Sequence, residues 1–140
     1  MSEQSALAGR IRGYLAELHR VVQRCVALRD KAISTGDDGF WDGVALNLHG
    51  YYGGVERIFE DIARTVDGSI PSGPDWHRSL LMQMASEIAQ LRPPAISRDL
   101  WASLEDYRGF RHIVRNVYAL NLRPWRLAEL VDGLPGNYAS

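Results

Sequence analysis

The chain has 140 residues, a formal net charge of −1 and 46% apolar residues, which is typical of one soluble domain able to bury a core. No apolar run approaches the roughly 20 residues that a membrane-spanning helix needs. The N-terminus lacks the layout of a signal peptide, so we expect a cytoplasmic protein with a single domain over residues 1–140. The single cysteine, Cys25, excludes an internal disulfide and a cysteine-based zinc site, and its helical apolar position predicts a core residue.

Two long amphipathic helices are predicted in the first half of the chain. The first ends near residues 34–38, and its apolar residues recur at three- and four-residue intervals: Leu7, Ile11, Tyr14, Leu15, Leu18, Val21, Val22, Cys25 and Leu28. The second covers about residues 40–66. Gly50, Gly53 and Gly54 lie inside it and cost roughly 1 kcal/mol each in a helix. They indicate either the close approach of another backbone or a kink.

A loop rich in glycine, proline and serine follows at residues 67–74. A third helix is predicted from residue 76 to about residue 90, with Asp75 as its N-cap. Two consecutive prolines at positions 93 and 94 end this segment.

Ser97 can cap a fourth helix, which ends before Pro124, and a short fifth helix is predicted over about residues 124–131. No run of β-branched residues with a period of two occurs in the chain. The predicted fold is therefore all-α: an antiparallel helical bundle of four main helices plus a short C-terminal helix.

Positive charge is concentrated late in the chain, from the fourth helix into the start of the fifth. Five arginines and no acidic residue lie between positions 108 and 126, although the whole chain is slightly acidic. Arginine binds phosphate in a bidentate manner, so this face is a candidate phosphate-binding surface. The alternative is an ordinary solvated helix face whose arginines pair with acids on neighbouring helices, such as Glu56 and Glu60.

A helical projection separates the two faces of this segment. The apolar residues gather on one stripe that must face the core, and they are Phe110, Ile113, Val114, Val117 and Leu120. The polar residues form a strip that borders this stripe and can line a groove: Arg108, Arg111, His112, Arg115, Asn116 and Tyr118.

The order Arg111-x4-Asn116-x-Tyr118 resembles the signature of the HEPN superfamily, and within it of the HepT-like proteins. The signature is an arginine, four to six residues and a histidine, often followed by x-Tyr. Three segments in the same order carry the resemblance further: residues 48–60, 75–81 and 110–118.

The resemblance implies the toxin of a toxin–antitoxin pair whose partner is a minimal nucleotidyltransferase. It also implies a homodimer that cleaves tRNA or mRNA without a metal ion. Arg111 matches the signature arginine and would position the phosphate. Tyr118 matches a tyrosine that receives AMP from the partner enzyme in some members. Arg108 and Arg115 would add phosphate contacts, with Tyr107 and Glu56 as supporting residues.

One departure from the signature concerns the chemistry. Asn116 occupies the histidine position, and an amide cannot act as a general acid or base near neutral pH. His112 lies one turn earlier on the same face and could supply the missing proton transfer, or it could be an exposed histidine with no such task.

No cofactor or metal site is predicted. The other histidines, His19, His49 and His77, have no paired spacing, and no nucleotide-binding or serine hydrolase motif occurs. Three functions therefore remain as hypotheses: a HEPN ribonuclease, a non-catalytic helical partner that binds substrate for a nucleotidyltransferase, and a purely structural bundle.

Overall fold

The computed structural model describes the backbone of residues 3–116 and 124–139, and the side chains of residues 5–110 and 126–134. Within these ranges the chain forms helices and no strand, which confirms the predicted all-α class. The helices are α1 (Glu3–Thr35), α2 (Gly39–Ile62), α3 (Trp76–Met84), α4 (Arg98–Asn116) and α5 (Pro124–Ala139), and a π-helical turn, Ala63–Asp67, extends α2. None of the described helices is long and apolar enough to cross a membrane.

Helices α1 and α2 form an antiparallel hairpin. Arg10 near the start of α1 donates a hydrogen bond to Asp61 at the end of α2, with Nε and Oδ2 2.7 Å apart. Leu28, near the end of α1, meets Gly43 at the start of α2. The turn between the helices needs Gly36, which adopts a left-handed conformation with φ of 70°.

The core lies between the hairpin and the three later helices. Its largest fully buried side chains include Tyr51, Tyr52 and Leu48 of α2. Cys25 is completely buried, as predicted, and desolvation raises the pKa of its thiol to about 12. A thiol with so high a pKa is not a nucleophile near neutral pH.

The third helix ends at Met84, six residues before the predicted end near residue 90. The chain then folds back through a turn in which Gln90 has a positive φ of 65°. Arg92 explains this early end, because its guanidinium donates to the carbonyl oxygens of Gln83 at 3.1 Å and Ser86 at 3.0 Å. These bonds satisfy carbonyl groups that a longer helix would have used.

The predicted helix caps have different outcomes. Ser97 caps α4, since its Oγ accepts a hydrogen bond from the backbone N–H of Leu100 at 3.0 Å. The prediction for Asp75 was wrong, because its side chain makes no capping hydrogen bond to α3.

The predicted end of α5 at residue 131 was also wrong, because the helix continues to Ala139. Leu130, Val131 and Leu134 are buried along its inner face, and their packing favours the helix beyond the expected stop. Gly133 is required by packing: a Cβ there would come within 2.8 Å of the Tyr107 hydroxyl.

Two adjacent glycines of α2 offer a matched test of close packing. A Cβ at Gly54 would lie 2.6 Å from Cδ2 of the buried Leu18, whereas nothing lies within 4 Å of a Cβ at Gly53. We expect Gly54→Ala to lower the free energy of unfolding by about 1–3 kcal/mol through overpacking. Gly53→Ala should raise it by about 0.5–1 kcal/mol through helix propensity. Urea denaturation of both variants measures the change in the free energy of unfolding. Equal changes in the two variants would contradict the packing explanation.

Candidate functional site

Helix α4 carries the arginine-rich segment as one continuous helix up to Asn116. Arg111, His112, Arg115 and Asn116 therefore lie on successive turns, as the projection requires. Their side chains lie outside the described residues, and Tyr118 lies outside them entirely.

Arg108 is the predicted phosphate ligand whose side chain is described. It forms a bidentate pair with Glu105 one turn earlier, at 3.0 Å from Nε to Oε1 and 2.8 Å from Nη2 to Oε2. This hydrogen bonding lowers the pKa of the Glu105 carboxyl and raises the pKa of Arg108. The Arg108 side chain remains 20% exposed, so its guanidinium reaches the surface already oriented.

Arg126 on α5 also has carboxylate partners. Its guanidinium lies 3.6 Å from Asp106 on α4 and 3.2 Å from Glu129 on its own helix. Both arginines of this region whose side chains the structure describes thus pair with acids, as the structural alternative expects, and the acids of these two pairs come from α4 and α5.

Tyr107 has a structural role in this region. Its ring is buried, and its hydroxyl donates a hydrogen bond of 2.8 Å to the backbone oxygen of Leu130. Burial is the main cause that raises the pKa of this phenol well above its usual range. Tyr107 thereby holds α4 against α5.

Glu56, the other predicted supporting residue, is buried in α2 and hydrogen-bonds to His77 at the start of α3. The His77 Nδ1 and the Glu56 Oε2 are 2.5 Å apart. The carboxylate side chain is 4% exposed and the imidazole is 20% exposed. A buried carboxylate is costly unless it is paired, so this contact explains how Glu56 is tolerated in the core.

Helices α3 and α4 run antiparallel, and residues on either side of His77 act on the arginine-rich helix. Asp75 at the start of α3 acts electrostatically on Arg108, and Arg78 acts on Glu105. Toward the other end of α3, Met82 lines the same cavity as Trp101 of α4. The start of α3, which carries His77, is therefore level with the segment from Glu105 to Arg108.

Sequence reasoning treated His77 as an isolated histidine. The pair joins residues 21 positions apart on different helices, with an irregular loop between them. No helical period connects two such positions, so no local signal in the sequence could have found the contact.

Two surface cavities lie away from this region. One of about 300 Å³ lies between α1 and α2 and is lined by Tyr14, Arg57 and three glycines of α2, Gly50, Gly53 and Gly54. The other, of about 390 Å³, lies between α3 and α4 beside Met82, Arg98 and Trp101. Among the side chains that the structure describes, no cluster of three or more His, Cys, Asp or Glu residues is arranged to hold a metal ion.

Comparison with known families matches the chain to a model whose description is HepT-like protein. It covers residues 43–138, which is more than half of the chain and runs from the start of α2 to the end of α5. Searches of curated proteins and of solved structures found no match. Glu56, His77 and the segment from Arg108 to Asn116 all lie inside the matched region. The chain therefore belongs to the HepT-like proteins and is a protein of the HEPN type.

Proposed function

We propose that this protein is the toxin of a toxin–antitoxin pair and a metal-independent endoribonuclease that cleaves tRNA or mRNA. The observation that carries the proposal is the HepT-like match, because the matched residues include the order Arg111-x4-Asn116-x-Tyr118. A toxin–antitoxin pair is the context of this family. The active form in this proposal is a homodimer in which the two α4 helices meet across a cleft.

The side chains of α4 suit cleavage by the ribose 2′-hydroxyl. Arg111 holds the scissile phosphate and offsets the charge that develops on it in the transition state. Arg108 and Arg115 contact neighbouring phosphates, and Asn116 orients the substrate through hydrogen bonds. His112 supplies proton transfer, because imidazole exchanges protons near neutral pH and an amide does not.

Neutralisation in this proposal is the work of a minimal nucleotidyltransferase encoded beside the toxin. It transfers AMP to Tyr118, which adds a phosphate charge and bulk where the RNA phosphate must bind. Repulsion between the two phosphates and steric exclusion would both block the cleft.

A second candidate function is favoured by Asn116. Without the signature histidine, the chain could serve as a non-catalytic helical partner that supplies a nucleotidyltransferase with a substrate-binding surface. The arginines would then bind the substrate without cleaving it.

Incubation of the purified protein with total tRNA in EDTA tests the proposal, with the intact mass recorded in parallel. We expect cleavage that persists in EDTA, because the reaction uses no metal ion. If the protein has its unmodified mass and cleaves no tRNA, nuclease activity is contradicted and the function as a non-catalytic binding partner is favoured. If the protein cleaves no tRNA and carries an AMP-sized mass increment on Tyr118, the toxin is neutralised, and removal of the AMP should restore cleavage.

A further inference from the structure

The proposed cleavage requires two proton transfers. Attack of the 2′-oxygen on phosphorus releases the hydroxyl proton, and departure of the 5′-oxygen takes up a proton. His112 can carry one of them, and Asn116 can carry neither. A second proton carrier outside α4 would let one protomer perform both transfers.

We propose that His77 is this second carrier, that it accepts the 2′-hydroxyl proton, and that Glu56 is its positioning residue. The inference rests on the proposed nuclease function and deepens it. It assigns a catalytic task to a residue of α3, which the signature on α4 does not include.

The geometry of the pair suits a general base. With Nδ1–H donated to the Glu56 carboxylate at 2.5 Å, the tautomer of the imidazole is set and Nε2 carries the lone pair. The carboxylate also stabilises the imidazolium that forms when Nε2 takes a proton, as the acid does in a catalytic triad. The imidazole lies against the Trp76 ring, with centroids 3.7 Å apart, and this contact restricts its rotation.

The start of α3, which carries His77, also lies beside the part of α4 that includes Arg108, because Asp75 acts electrostatically on Arg108. His77 is level with the segment of α4 between Glu105 and Arg108, and Arg111 follows one turn after Arg108. The midpoint of this segment and Arg111 are about 7 Å apart along the axis of α4. An arginine side chain and a ribose phosphate together span such a distance, so His77 and Arg111 can act on one nucleotide.

The step balances without any further reactant. The Nε2 of His77 takes the 2′-hydroxyl proton while the 2′-oxygen bonds to phosphorus. The bond from phosphorus to the 5′-oxygen breaks, and the His112 imidazolium donates a proton to that oxygen. The products are a 2′,3′-cyclic phosphate and a 5′-hydroxyl, and exchange with water restores both histidines.

His77→Asn is the decisive variant. The asparagine amide can still donate a hydrogen bond to Glu56, which protects the fold, but it cannot exchange protons near neutral pH. We expect kcat to fall by about 10²–10⁴-fold with little change in KM. Added imidazole should restore part of the activity of His77→Ala, an outcome that a purely structural role would not produce. The matched control is His49→Asn on α2, with kcat as in the wild type.

Glu56→Gln should lower kcat by roughly 10–100-fold through loss of the charge-assisted hydrogen bond. The same substitution should have almost no further effect on kcat when His77 is already Asn. Independent losses that multiply in the double variant would mean that Glu56 does not act through His77.

A substrate with sulfur in place of the 5′-oxygen separates the two histidines, because a thiolate leaves without a proton. We expect this substrate to restore cleavage by His112→Ala and not by His77→Asn. If the wild type cleaves RNA and His77→Asn has the same kcat, the role assigned to His77 is overturned and the proposed nuclease function stands. Absence of cleavage by the unmodified wild type would overturn both the inference and the proposed function.

Discussion

Arg111→Ala is expected to lower the rate of RNA cleavage by about 10²–10³-fold. The transition state of 2′-hydroxyl attack carries extra negative charge on the phosphate oxygens, and a fixed donor aimed at that charge contributes on this scale. Arg111→Lys should recover only part of the loss, because an ammonium group keeps the charge but cannot form a bidentate contact with phosphate. Single-turnover cleavage of tRNA in EDTA gives the rates of the wild type, Arg111→Ala and Arg111→Lys.

Arg98→Ala is the matched control for this prediction. Arg98 is an exposed arginine in the first turn of the same helix, so its removal takes the same charge from α4 at a distance from the signature. We expect the rate of Arg98→Ala to equal that of the wild type. Equal losses in the two variants would assign the effect to net charge and not to a site at Arg111.

Arg92→Met is expected to lower the free energy of unfolding by about 3–5 kcal/mol, the largest stability effect that we predict. Arg92 and Asp67 form a bidentate ion pair at 2.6 Å and 2.8 Å, and their side chains are 9% and 1% exposed. The substitution leaves the Asp67 carboxylate buried without its cation. It also removes the donors that cap the last carbonyl groups of α3.

This loss should depend on pH. Hydrogen bonding to Arg92 holds the pKa of Asp67 below its usual range, so the pair contributes its full stability above the unfolded pKa of about 4. The contribution disappears as the pH falls through the lower pKa of the folded state. The free energies of unfolding of the wild type and of Arg92→Met should therefore become more similar at acidic pH.

Urea denaturation at neutral and acidic pH measures the difference in the free energy of unfolding between the wild type and Arg92→Met. Arg57→Met is the control, since Arg57 lies 3.8 Å from Glu17 and both side chains are more than 60% exposed. An exposed pair contributes about 0–1 kcal/mol. A loss in Arg92→Met that does not change with pH would contradict the role assigned to the ion pair.

The positions and starts of the helices could be predicted from the sequence because they depend on local patterns. Apolar residues at helical spacing predicted α1 and α2, and the serine cap at position 97 predicted the start of α4. The ends of α3 and α5 could not be predicted, because distant contacts decide them. Arg92 ends α3 early, and buried leucines carry α5 past Gly133.

The sequence by itself determined the all-α class, the HepT-like signature and the departure at Asn116, since each is a matter of residue type and spacing along one helix. The tertiary structure alone decided which buried charges meet. Glu56 pairs with His77 and Asp67 with Arg92, across 21 and 25 positions and across irregular segments. Buried charges require partners, but only the path of the chain between helices selects them.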